Sequence, residues 1–193
     1  MYNHRLVPSV IALGMFDGMH IGHRAVINKA VSIAGEHAWQ SVAYTFMNHP
    51  RSVFAEAPEL LMDAEKKRAT MMEMGIDVVD MVKFDKTIAS MSPMEFIEDL
   101  ANRYDIKVLV AGSDFTFGYK GQGTIETFRE YAGVYGYEVC EVPFVMLAGE
   151  KVSSTRIRNA LAHGEREVAE IMLGEMSAAR QKPYCDGIAP VSS

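Results

Sequence analysis

The sequence predicts an α/β protein: an open parallel sheet of about five strands with helices on both faces. Two observations predict it. Short, continuously apolar runs bounded by turn residues alternate along the whole chain with longer stretches of helical spacing. Each crossover is long enough for a helix, which suits parallel neighbours joined by right-handed connections. A length of 193 residues suits one domain of this kind, or one domain with a small appendage.

The elements follow in order. "VPSVIAL" (7–13) reads as a buried strand between Pro8 and Gly14. After a glycine-rich turn, "HRAVINKAVSIAGEH" (23–37) repeats Val26, Ala30, Val31 and Ala34 at helical spacing, with Gly35 as the expected stop. "QSVAYTF" (40–46) is the second strand, and "DAEKKRATMMEMG" (63–75) a helix opened by Asp63 and closed by Gly75. "DVVDMVKF" (77–84) is the third strand. Ser92, Pro93 and Glu95 form a helix start with a capping box, and the helix turns Phe96, Ile97 and Leu100 inward. "IKVLVAG" (106–112) and "YEVCEVPF" (137–144) are the fourth and fifth strands, with a helix between them over 124–136. "STRIRNALAHG" and "REVAEIMLG" are closing helices. From Glu175 the periodicity fades, and 175–193 is expected to be a tail beyond a single domain over 1–174.

Composition excludes several functions. The chain is 49% hydrophobic and 23% charged, in the ordinary globular range. A formal net charge of −6 argues against nucleic acid as a partner, so an anionic substrate needs a local positive site. Cys140 and Cys185 are far apart and make neither a disulfide framework nor a zinc signature; no metal ligand set is assigned. No stretch reads as a leader or a bilayer span, so no membrane partner is expected and the default compartment is the cytoplasm. The 14 methionines are scattered and read as core filler. The sequence assigns no oligomeric state.

"GMFDGMHIGHRA" (14–25) joins the first strand to the first helix, the edge where an open parallel sheet presents its ligand crevice. Gly14 allows the turn and a close ligand approach. Gly22 sits near the helix start, whose free N–H groups favour phosphate. His20 and His23, three apart, can face one side and donate to negative charge building on a phosphoryl group.

These blocks carry a resemblance. "LGMFDGMHIGH" is similar to the first signature of the nucleotidyltransferase superfamily, G-x-F-D-x-x-H-x-G-H. "VSSTRIRNAL" (152–161), "YTFMNHP" (44–50) and "LVAGSDFTFGYKGQGT" (109–124) resemble blocks of one branch, the FMN adenylyltransferase (FAD synthetase) module of bacterial flavin-biosynthetic enzymes. The resemblance implies a Rossmann-like sheet and transfer of the adenylyl group of ATP to FMN, giving FAD and pyrophosphate. The FMN phosphate attacks the α-phosphorus in line, with no enzyme nucleophile and with Mg²⁺ carried on the triphosphate. It implies that Gly14, Phe16, Asp17, Gly22, His23, Ser153, Ser154, Thr155 and Arg156 contact ATP, with His20, His23 and Arg156 as the catalytic group holding the phosphates from opposite sides.

Asp17 is expected to order the turn, and Arg158 to be a surface helix residue. On the flavin side the candidates are Asn48, His49, Pro50 and Arg51, in the irregular segment 48–62, and Asp114, Phe115, Phe117 and Gly118. Where the family often has Asp-Pro before His-Pro, this chain has Met47-Asn48, which points to altered flavin affinity. The two-module enzymes continue into a riboflavin kinase barrel, for which residues 175–193 leave no room. Two alternatives stand beside this reading: a nucleotidyltransferase with another acceptor, such as nicotinamide mononucleotide or phosphopantetheine, and a flavin- or nucleotide-binding protein without turnover.

Overall fold

The computed structural model describes residues 6–175. Five parallel strands form one sheet: β1 (Pro8–Leu13), β2 (Gln40–Phe46), β3 (Val78–Val82), β4 (Asp105–Gly112) and β5 (Glu138–Val142), in the order β3-β2-β1-β4-β5. β1 is central, with Ile11 beside Val42 on one neighbour and Leu109 on the other. From β1 the chain builds outward to β2 and β3, then returns to β4 and builds the other way. The carboxyl ends of β1 and β4 therefore flank the topological switch point, where such sheets bind ligands.

The sheet is buried on both faces, which explains the continuously apolar runs. Val10 and Ala12 face a core shared with α1 (Ile21–His37) and α2 (Ala64–Glu73), through Ile27, Ala30 and Met71. Ile11 and Leu13 face the other core, with α4 (Pro93–Arg103) and α5 (Ile125–Tyr135), through Phe96, Leu100 and Phe128. Ser92 and Glu95 form the capping box read from the sequence. α6 (Ser154–Ala162) and α7 (Arg166–Leu173) make a third core, Ile157 and Met172 packing with Leu147.

The structure differs from the sequence reading at several boundaries. α1 begins at Ile21 and runs through Gly35, and Ala38, at φ 53°, takes the left-handed position that closes it. The short helix α3 (Lys86–Ser90) and the two-residue strands β6 (Met146–Leu147) and β7 (Glu150–Lys151) are additions. The hairpin lies just beyond the stretch expected to be the end of the fifth strand. The tail over 176–193 lies outside the described residues. Among the described residues no helix is long and apolar enough to cross a membrane.

Candidate active site

The turn after β1 is tightly wound. Phe16, Gly18 and Met19 all have left-handed backbone, at φ 51°, 79° and 44°. For Phe16 and Met19 that costs about 1–3 kcal/mol each. Full burial of a Phe or Met side chain returns about 1.5–3 kcal/mol, and both are at most 1% exposed. The two terms are comparable, so the turn also depends on its hydrogen bonds. Thr45 Oγ1 donates to Met15 O (3.0 Å), Arg24 Nε to Met19 O (2.9 Å) and Leu61 N to Asp17 Oδ1 (2.8 Å). Gly14 is required for contact: a Cβ there would sit 2.8 Å from the Phe16 ring.

The turn delivers two imidazoles as a stacked pair. The His20 and His23 rings lie 3.5 Å apart at 17°, and Phe16 meets His23 edge-on at 5.5 Å. His20 caps α1: its Nδ1 accepts from His23 N (3.2 Å), so the neutral ring carries its proton on Nε2. Gly22 leaves room for the His20 ring, which a Cβ would approach to 3.2 Å. Burial, then the nearby Lys151 charge, pushes the His20 pKa down to about 4. Burial and then His20, Lys67 and Lys151 hold His23 well below the ordinary imidazole range. Both rings are therefore neutral at neutral pH. The Nδ1 of His23 is buried without a hydrogen-bond partner.

The second half of the site comes from the hairpin and α6. Ser153 caps α6 by accepting from Arg156 N (3.2 Å), and its neighbour Thr155 is exposed in the first helical turn. Ser154 Oγ donates to Asp17 O (3.0 Å), so the two signature blocks touch. The guanidinium of Arg156, expected to face the histidines, instead holds the hairpin. It donates to Leu147 O (3.0 Å) and Glu150 O (2.9 Å) and pairs with Glu150. Arg158, expected at the surface, crosses to the first block. It pairs with the buried Asp17 and donates to Glu59 O from Nε (3.0 Å) and Nη2 (2.9 Å). Asp17 thus joins the turn, the 48–62 segment and α6, with both carboxylate oxygens engaged. The cation acting on both imidazoles is Lys151, which pairs with Asp114 and stands 4.1 Å over the Phe144 ring.

The other flavin candidates divide into two groups. Asp114 and Arg51 are exposed, and Phe115, His49 and Pro50 are half-buried. Phe117 is a core residue, 6% exposed, its ring stacked 4.0 Å from Phe128 and tilted against Phe96 at 5.2 Å. Gly118 abuts Pro93 at the start of α4. The Asn48 amide ties the 48–62 segment to Phe84, donating to its O (3.0 Å) and accepting from its N (2.9 Å). His49 Nδ1 accepts from Arg51 N (3.1 Å). Burial, followed by Arg158, lowers the His49 pKa. Met47 is 47% exposed beside this segment.

Sequence reasoning missed Lys67 and Lys151 and misjudged Arg158. The available signal for Lys67 is its place four residues before Met71, which puts it on the buried face of α2. For Lys151 it is the hairpin, whose two-residue strands leave no periodicity to read.

A family model described as FAD synthetase matches residues 3–156. The chain belongs to the FAD synthetase family. Relatives of the FAD synthetase region include the bifunctional riboflavin kinase/FMN adenylyltransferases of Listeria monocytogenes and Bacillus subtilis. The first is 36% identical over 171 residues, covering 87% of this chain and 54% of the relative; the second is 37% identical, covering 86% and 54%. The chain thus spans about half the length of the curated relatives it matches. A crystal structure described as a macrolide-efflux protein from Streptococcus pneumoniae superimposes with a TM-score of 0.79 at 29% identity, over 87% of this chain and 55% of that one.

Proposed function

We propose that the chain transfers the adenylyl group of ATP to the phosphate of FMN, forming FAD and pyrophosphate. A phosphate oxygen of FMN forms a bond to the α-phosphorus as the bond from that phosphorus to the α,β-bridging oxygen breaks. Pyrophosphate leaves in line with the electron pair. The protein contributes position and charge stabilisation, with no covalent intermediate.

The observation that carries this reading is the neutral, stacked His20–His23 pair at the β1/β4 switch point, faced by Lys151 and joined to α6 through Asp17. Neutral imidazoles offer N–H donors to the α-phosphate while leaving net charge to Lys151. The first-turn N–H groups of α6, with Ser153 and Thr155, suit the outgoing phosphates. In this arrangement Arg156 acts by shaping the hairpin that presents Lys151, and Asp17 by locking the turn. Magnesium enters with the nucleotide as part of the substrate complex. Both Asp17 oxygens are already engaged, so the triphosphate and water are its main ligands.

On the acceptor side, we assign Arg51 and His49 to the FMN phosphate, and Asp114 and Phe115 to the polar edge and face of the ring. Asn48, Phe117 and Gly118 support these groups from behind. The test is incubation of the purified chain with MgATP and FMN, followed by chromatographic separation of the flavins. FAD and an equimolar amount of pyrophosphate are expected. Tight ATP binding with neither product refutes the reading.

A further inference from the structure

The most deeply buried cation has no role in the site as described so far. Lys67 is 2% exposed, and among the described residues its ammonium has no ion-pair partner. Burying an unpaired charge is costly, and a Met in its place would fill the same space on α2 without that cost. Its hydrogen bonds show what the charge holds. Nζ donates to Phe46 O (2.6 Å), Met15 O (3.1 Å) and Thr45 Oγ1 (3.3 Å). Thr45 in turn donates to the same Met15 carbonyl. Met15 leads directly into the left-handed stretch Phe16–Met19, which the two histidines follow. The Lys67 charge also acts on His23, whose Nδ1 is buried and unpartnered.

We propose that Lys67 is a positioning residue for adenylyl transfer: it pins the strained Met15–His20 turn to the end of β2 and supplies, from beneath, a positive charge not neutralised by the protein. The proposal rests on the adenylyl-transfer reading above. The charged and titratable groups in electrostatic reach of it are Asp17 on the turn and His23 on α1. Asp17 acts on Lys67 only from a distance, because its carboxylate is engaged by Arg158 and Leu61.

Burial holds the ammonium down to about 8, so it is charged at neutral pH. A bound triphosphate raises that value. The complex then holds more protons than the free protein at pH 8 and above, binding takes up protons there, and affinity falls as pH rises.

The experiment is calorimetric titration of the full chain with MgATP from pH 7 to 9.5, in two buffers of different ionisation heat, alongside steady-state FAD formation. Wild type should take up protons near pH 8.5 and lose about tenfold in affinity between pH 7.5 and 9.5. Lys67→Met should show no uptake and a flat pH profile. Its kcat should fall about 10²-fold, with KM for FMN changed less than about threefold. Lys67→Arg, which keeps the charge but does not titrate, should recover affinity without uptake, and it decides the matter if the Met variant does not fold. Uptake absent from wild type, uptake persisting in either variant, or a folded Lys67→Met with kcat within about threefold of wild type overturns the proposal. Wild type that binds ATP but forms no FAD overturns the acceptor reading alone, and proton uptake still judges Lys67. Wild type that does not bind ATP at pH 7 overturns both.

Discussion

Replacing Arg158 with Met removes the charge and every donor while keeping most of the aliphatic length. In the structure this breaks an ion pair with a carboxylate whose side chain is 4% exposed, against 23% for Arg158, and it frees the carbonyl of Glu59. The remaining partner of the Asp17 carboxylate is the Leu61 N–H. Removing one member of a buried pair costs about 3–5 kcal/mol, whereas a surface substitution stays within about 0.5 kcal/mol. The partial exposure of Arg158 places the expected loss at the lower end, about 3 kcal/mol. At roughly 2–4 °C per kcal/mol for a domain of this size, the melting temperature should fall by about 6–12 °C. FAD formation should fall with it, because the same knot fixes the histidine turn. Urea and thermal denaturation of Arg158→Met and of Asp17→Asn measure the effect. The Asn variant keeps an acceptor and should lose less. A shift below about 2 °C in Arg158→Met would show that the pair is no more than a surface contact, and would refute the linkage of the two signature blocks through Asp17.

His23→Ala should retain the fold and lose about 10²–10³-fold in kcat for FAD formation, the range for one preorganised donor; kinetics with a melting curve as control measure it, and unchanged turnover removes His23 from the mechanism. Acid should destabilise the chain through His20. Its folded pKa is about 4, against 6.5 for an exposed imidazole, so the folded state disfavours the proton that the unfolded chain accepts. The stability present above pH 6.5 is lost as pH falls towards 4, up to about 3 kcal/mol, and a His20→Gln variant should show a shallower acid limb in denaturant melts. Gly14→Ala should cost about 1–3 kcal/mol by driving a Cβ against the Phe16 ring, and should depress FAD formation beyond what stability explains; an active, stable variant would mean that the turn adapts.

The central strands β1, β2 and β4 were legible because they are largely buried on both faces and mostly apolar. The edge strands β3 and β5 carry Asp80, Glu138 and Glu141 and were legible from their valines between turn residues. The α4 start was legible because Ser92, Pro93 and Glu95 each have one structural use there. The start of α1 was not, because its cap is a histidine, a side chain outside the usual capping set. Its end was misplaced because Gly35 is a plausible stop, yet the helix continues to a left-handed Ala38. There the backbone N–H of Ala38 reaches Ala34 O and Gly35 O. α3 and the β6–β7 hairpin are too short to carry a period. The hairpin matters most among these, because it presents Lys151.

The exchange of roles between Arg156 and Arg158 marks where sequence reasoning stops. Two residues apart on a helix, their side chains point about 200° apart, so at most one of them can face a given neighbour. The block "SSTRIR" states that two arginines are present but not how α6 is rotated about its axis. That rotation is set by distant residues. Ile157, lying between the arginines, is fully buried in the core that α6 shares with α7 and Leu147, which fixes the inward face of the helix. Ser154 then reaches Asp17 O, and Arg158, one turn further on, reaches the Asp17 carboxylate. Arg156 is left on the side of the hairpin. Lys67 is hidden for a related reason: a lysine on a polar helix reads as solvent-facing until the fold shows that the oxygens waiting for it belong to two other segments. In both cases the motif names the chemistry, and the assignment of atoms to it depends on packing between elements far apart in the chain.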